Sequence, residues 1–194
     1  MYEYIQGKLE KLTPTYAIVD VTGIGYFINI TLYSYSFLEG KHDCRLFVHQ
    51  AIREDAHVFF GFSDPRERDV FRMLISVSGI GTNTARMMLS SLSYNEIELA
   101  IQRSDINLLK TIKGIGLKTA QRVVIDLKDK LGKAGPDNEI FMSSKGNTLK
   151  DESLSALIML GFSKNAVEKV IDKILAINSN ISVEELIKNA LKQL

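Results

Sequence analysis

The first third of the chain alternates between apolar and polar positions. The runs "YEYIQGKL" (2–9), "YAIVDV" (16–21), "YFINITL" (26–32), "CRLFVHQAI" (44–52) and "AHVFFGF" (56–62) are rich in Ile, Val, Tyr and Phe. Stretches containing Gly, Pro or Asp separate them. This pattern predicts short strands closing into a small barrel or sandwich, with a five-stranded OB-type barrel as the candidate. Gly23–Gly25 falls between two of these runs and reads as a tight hairpin turn with no ligand.

At residue 64 the period lengthens to that of a helix. Asp64 is placed to cap, Pro65 suits the first helical position, and Glu67 stands where a capping box wants an acid. Val70, Phe71, Leu74 and Ile75 then recur at helical spacing. Ser93 with Glu96 predicts a second capping box ahead of Ile97, Ala100 and Ile101, and Asp105 opens a short helix carrying Leu108, Leu109 and Ile112. Ala120, Val123, Val124, Leu127 and Leu131 form one more apolar face. Beyond it "GKAGPDNEIFMSSKGNT" has no period and reads as a flexible linker. Three short helices follow, capped by Asp151, by Ser163, and by Ser182 with Glu185. The expected order is an OB-like β-barrel (1–63), an all-α unit (64–131), a linker (132–149) and a small three-helix, UBA-like domain (150–194). The fold class is therefore α+β multidomain.

Apolar residues make up 45% of the chain, so ordered globular domains are expected. No apolar run approaches the roughly 20 residues of a membrane span, and the start "MYEYIQGKLE" has no signal-peptide pattern. A cytoplasmic protein is expected. The single cysteine, Cys44, excludes an internal disulfide and a cysteine-built metal site. His42, His49 and His57 share no metal-ligand spacing, and no GxxxxGK[ST] loop occurs. No cofactor is expected, and ATP-driven work would have to come from a partner. The net charge of +1 is distributed unevenly: −2 over 1–63, +3 over 64–132 and zero over 133–194. The positive section is the one that would face a polyanion.

That section contains an internal repeat. "SGIGTNTARMMLSSL" (78–92) aligns with "KGIGLKTAQRVVIDL" (113–127) through Gly79, Ile80, Gly81, Thr84, Ala85 and Leu92 against Gly114, Ile115, Gly116, Thr119, Ala120 and Leu127. Each copy lies between two predicted helices. A helix N-terminus leaves about four N–H groups unpaired and carries partial positive charge. Glycines before it let an anion approach the backbone, and the isoleucine between them can turn into the core. The pattern is a phosphate cradle. Lys118 and Arg122 stand one turn apart beside the second copy, where the first has only Asn83 and its backbone. A dinucleotide fingerprint would need a preceding strand and a third glycine, whose place Thr84 and Thr119 occupy.

The pair resembles a tandem helix-hairpin-helix domain, which binds DNA backbones without sequence preference. The whole order of elements resembles the RuvA family of bacterial Holliday-junction recognition subunits. It is carried also by "GKLEKLTPTYAIVDVTGIGYFINI", "REDAHVFFGF" (53–62) and "ALIMLGFSKNAVEKVI" (156–171). The resemblance implies a non-catalytic homotetramer, or an octamer on DNA, that binds four-way junctions in recombination and repair. It implies recruitment of a RuvB-type hexameric ATPase, with a RuvC-type resolvase as a further partner. DNA contacts would fall on Gly79, Gly81, Asn83, Thr84, Gly114, Gly116, Lys118, Thr119 and Arg122. Glu54 and Asp55 would form an acidic pin at the tetramer centre, and Leu157, Leu160, Phe162 and Leu191 would bind the motor. The chain departs from the family pattern where lysines are common, at Asn83 and Leu117. "GIGLKTA" also resembles the hairpin of bifunctional DNA glycosylases, with Lys118 as Schiff-base nucleophile and Asp137 assisting. A scaffold that binds only protein is the third reading.

Overall fold

The structure, a computed structural model, describes residues 2–132, 149–178 and 181–194. The predicted linker and Asp137 therefore lie almost wholly, or wholly, outside the described residues.

Strands β1 (Tyr4–Leu12), β2 (Tyr16–Val21), β3 (Ile24–Ile30), β4 (Asp43–Ile52) and β5 (His57–Phe62) close a barrel in the order β1-β2-β3-β5-β4. Only β3 and β5 pair in parallel. The alternation has its expected consequence. Ile5, Ala17, Val19, Ile28, Ile30, Leu46 and Val48 fill the interior. Thr22 (φ +52°) and Gly23 (φ +93°) form a two-residue turn between β2 and β3, with the Gly23 amide donating to Asp20 Oδ1. Both residues have positive φ, as a type I′ hairpin turn requires. Gly25 is already strand, paired with Asp20.

One element was not expected. The run read as continuing to Leu32 stops at Ile30, and α1 (Leu32–Leu38) follows. Thr31 caps this helix by accepting from the Ser34 amide, and Leu38 seals the barrel interior. Its residues, LYSYSFL, favour strands locally, so the cap and the tertiary contact decide.

Helices α2 (Pro65–Ile75), α3 (Thr82–Ser91), α4 (Tyr94–Gln102), α5 (Ile106–Lys110) and α6 (Leu117–Gly132) belong to the same compact unit as the barrel. Asp64 accepts from the Arg66 amide with Pro65 in the first turn, Ser93 and Glu96 form a reciprocal capping box, and Asp105 accepts from the Leu108 amide. Val70, Phe71, Leu74, Ile97, Ala100, Ile101, Leu109, Ile112, Ala120, Val123, Val124, Leu127 and Leu131 are all buried together. Phe60 and Phe62 of β5 join this core, their rings 5.3 and 4.9 Å from that of Phe71.

Glu67 does not cap α2. It is 1% exposed, and its two oxygens accept from Thr31 Oγ1 at 2.5 Å and Ser34 Oγ at 2.9 Å. The carboxyl thus ties α2 to the first turn of α1. Burial pushes its pKa up to about 7; the two hydroxyl hydrogen bonds act in the opposite direction.

The second unit contains α7 (Leu149–Met159), α8 (Lys164–Ile177) and α9 (Val183–Leu191). They pack pairwise around Leu154, Leu157, Val167, Ile171, Ile174, Ile181, Leu186 and Ala190. Asp151, expected to cap α7, lies inside it. Ser163 stands at the N-cap of α8 without a side-chain bond, and Ser182 accepts from the Glu185 amide. Among the described residues no helix is long and apolar enough to cross a membrane.

Candidate nucleic-acid interface

The two Gly-Ile-Gly turns share one construction. In the first, the Ile80 amide donates to Val77 O at 3.0 Å and the Ala85 amide to Gly81 O at 2.9 Å. In the second, Ile115 donates to Ile112 O at 3.0 Å and Ala120 to Gly116 O at 2.9 Å. Gly79 and Gly114 have φ of +93° and +88°, which a side chain rarely adopts. Ile80 and Ile115 are each 5% exposed, pinned into the shared core. A Cβ placed on Gly81 or Gly116 would meet nothing within 4 Å. The glycines therefore have different jobs. The first of each pair supplies the left-handed turn, and the second keeps open space before the helix. Gly81 is the N-cap of α3, which no side chain caps, so first-turn amides are left for an outside acceptor.

The cationic side chains cluster at the second turn. Lys118 and Arg122 are exposed on α6, with Arg122 Nε 3.7 Å from Asp126 Oδ2. That ion pair was not foreseen, and a phosphate would share Arg122 with it. Lys110 and Lys113, also unforeseen, are exposed just before the turn. Lys113 directly precedes Gly114, where the first copy has Ser78. It places a cation on the approach to the turn even though Leu117 replaces the expected lysine. In the first copy Asn83 is exposed, Thr84 half-buried, and Met87 occupies the place of Arg122.

Glu54 and Asp55 are exposed at the tip of the β4–β5 hairpin, which the Arg53 amide closes by donating to Ala56 O at 2.9 Å. No ion pair neutralises either acid among the described residues. Cys44 is buried in β4, and burial, with Asp43 nearby, pushes its thiol up to about 11, so it is not a reactive thiol.

In the second unit two of the expected surface residues need correction. Leu157 is fully buried in the core. Phe162 is half-buried against that core. The reason is the end of α7. Gly161 adopts φ +99°, its amide donates to Ile158 O, and the Phe162 amide donates to Leu157 O. This is a Schellman ending, whose residue after the glycine packs back on the helix. Leu160, 60% exposed, and Leu191 do face solvent, and Met159, 74% exposed, joins them unforeseen.

A closed OB-type barrel joined to paired Gly-turn helices, with a separate three-helix domain, defines a barrel and tandem helix-hairpin-helix protein. Comparison with known families agrees segment by segment. Residues 1–61 match the RuvA N terminal domain, 71–129 the SAM-like helix-hairpin-helix tandem, and 148–194 the RuvA C-terminal domain. The chain belongs to the RuvA family. It is 46% identical over 194 residues to a protein of Christiangramia forsetii, covering all of both chains. It is 47% identical over 201 residues to one of Bacteroides thetaiotaomicron, and 46% over 194 residues to one of Flavobacterium psychrophilum, again across all of both chains. Each of these relatives is named Holliday junction branch migration complex subunit RuvA. The glycosylase reading finds no support. Lys118 is exposed on the first turn of α6, whereas a Schiff-base lysine needs desolvation or a crowding cation to activate it.

Proposed function

We propose that this chain binds four-way DNA junctions through backbone phosphates, holds them open, and delivers them to a hexameric ATPase of the RuvB type for branch migration in recombination and repair. The observation that carries the reading is the matched pair of turns, each with a conformational glycine, an anchored isoleucine and an unobstructed glycine before a helix. Gly79, Gly81, Asn83, Thr84, Gly114, Gly116, Lys118, Thr119 and Arg122 form the two grips, and Lys110 and Lys113 add charge to the second. Backbone amides read charge and shape but no base edge, so the binding is independent of sequence.

Glu54 and Asp55 supply the acidic pin. Uncompensated carboxylates at a hairpin tip repel phosphates and direct separated strands into different arms. Ile24, Phe27, Leu32 and Phe37 are exposed on the barrel unit, apolar surface that suits assembly into a homotetramer. Met159, Leu160 and Leu191 form the face offered to the motor. The chain itself is a non-catalytic, cytoplasmic subunit.

The test is binding of an immobile four-way junction by the full chain and by a Gly81→Val, Gly116→Val double variant. Losing two charge-assisted contacts predicts weakening by about 100-fold or more, with circular dichroism unchanged. Retained affinity would show that the grip lies elsewhere.

A further inference from the structure

The first hairpin is held to the barrel by a residue that has no counterpart in the second. Arg86, one turn into α3, sends Nη1 to Thr15 O and to Asn29 Oδ1, each at 3.0 Å. Thr15 lies in the turn between β1 and β2, and its carbonyl also accepts from the Ile30 amide. Asn29 lies in β3, and its Nδ2 donates onward to Phe59 O in β5. β5 is the strand that leaves the acidic tip. A continuous path of hydrogen bonds therefore runs from α3 through β3 to β5, the strand that follows the tip carrying Glu54 and Asp55.

One turn further along α3, Ser90 Oγ donates to Arg86 O and accepts from the Leu32 amide at the start of α1. These two attachments fix α3 against the barrel. The second hairpin is positioned differently: α6 packs on α2, α4 and α5, within the helical core. In the repeat, Gln121 stands where Arg86 does and is exposed. Arg86 forms no ion pair among the described residues, and it bonds only neutral oxygens. One guanidinium nitrogen, Nη1, meets two acceptors, one in the β1–β2 turn and one in β3, which is a geometric use of arginine.

We infer that Arg86, acting through Asn29, is a positioning residue that sets the first phosphate grip at a fixed distance and angle from the acidic tip, and that junction preference depends on this setting. The inference rests on the junction-binding reading above. A duplex engages a grip without reference to the tip, so a loosened hairpin can follow it. A junction must satisfy grips and tip together, so freedom at the hairpin lowers the fraction of molecules ready to bind.

The test compares junction and duplex dissociation constants for the wild-type chain, Arg86→Met and Arg86→Lys. Arg86→Met keeps an unbranched apolar stem but removes every donor, and it leaves the Phe60–Phe62–Phe71 cluster and the Glu67 joint untouched. Its junction-to-duplex preference is expected to fall about tenfold, the scale of one charge-assisted hydrogen bond, while duplex affinity stays within about twofold. Arg86→Lys, whose ammonium reaches one acceptor, should recover part of the preference. Hydrogen exchange should rise over residues 82–91 in Arg86→Met and not over 117–131. A wild-type preference retained in Arg86→Met overturns the positioning role alone. So does a parallel loss of both affinities in step with melting temperature, which is the signature of a merely structural residue. A wild-type chain with no junction preference overturns the functional reading and this inference with it.

Discussion

Replacing Glu67 by Gln tests how the barrel and helices are joined. The carboxyl is buried, bonded only to the hydroxyls of Thr31 and Ser34, with Asp64 adding repulsion and no cation paired to it among the described residues. Its pKa rises from an ordinary 4.5 to about 7. At about 1.4 kcal/mol per unit, the ionised form is disfavoured in the folded chain by about 3 kcal/mol. Below pH 4.5 the folded and unfolded chains are both protonated at this site, and it contributes no pH dependence. Between pH 4.5 and 7 the unfolded chain loses its proton first, so stability falls as pH rises. Above 7 the full cost remains. Gln cannot ionise, and the two hydroxyls can rotate to meet its amide. Urea unfolding followed by circular dichroism at pH 5 and pH 8.5 gives the stability difference between variant and wild type, and subtraction removes the other titrating groups and the C-terminal unit. The variant should gain on the wild type by about 2–3 kcal/mol across that range. A capping carboxylate, as the sequence suggested, would have a lowered pKa, lose its contribution only as pH falls below the ordinary 4.5, and leave the difference flat across this range. A flat or inverted difference would refute the buried joint.

The paired glycines should separate by assay. Gly114→Ala forces a side chain to φ +88° and should cost about 1–2 kcal/mol in thermal melts, whereas Gly116→Ala should leave stability within about 1 kcal/mol and still weaken DNA binding. Equal melting losses would mean that the division of labour is wrong. Arg122→Ala should weaken binding to every DNA sequence by the same factor, and a base-dependent loss in a sequence panel would count against backbone recognition. Neutralising Glu54 and Asp55 to Gln and Asn should tighten binding overall while narrowing the gap between junction and duplex; an unchanged gap would remove the pin. Deleting residues 149–194 should spare junction binding and abolish stimulation of a RuvB-type ATPase in a coupled turnover assay, and stimulation that survives would place motor contact elsewhere.

Much of the site was legible because its signals are local. The repeat, the caps at Asp64, Ser93 and Asp105, and the buried faces from Val70 to Leu131 all depend on neighbours within a turn or two. What escaped depends on distance. Arg86 meets Thr15 and Asn29, 71 and 57 residues away, and Glu67 meets Thr31 and Ser34 at 36 and 33. Local pattern made Glu67 a cap because the N3 position is right for one; the barrel hydroxyls claimed it instead. Helix α1 was hidden by strand-prone Tyr and Phe. Leu157 and Phe162 could not be told from Leu160 because α7 and its ending carry apolar residues on two faces, and only the Schellman turn at Gly161 decides which are inside.

On the proposed function, two backbone grips and an acidic tip together recognise a four-way junction. The direct measurement is competition between an immobile junction and a duplex of equal arm length, with the native mass of the bound species determined alongside. The junction should win whatever its base sequence, bound by a tetramer or a pair of tetramers. Equal competition by duplex, or binding that follows base sequence, would contradict it.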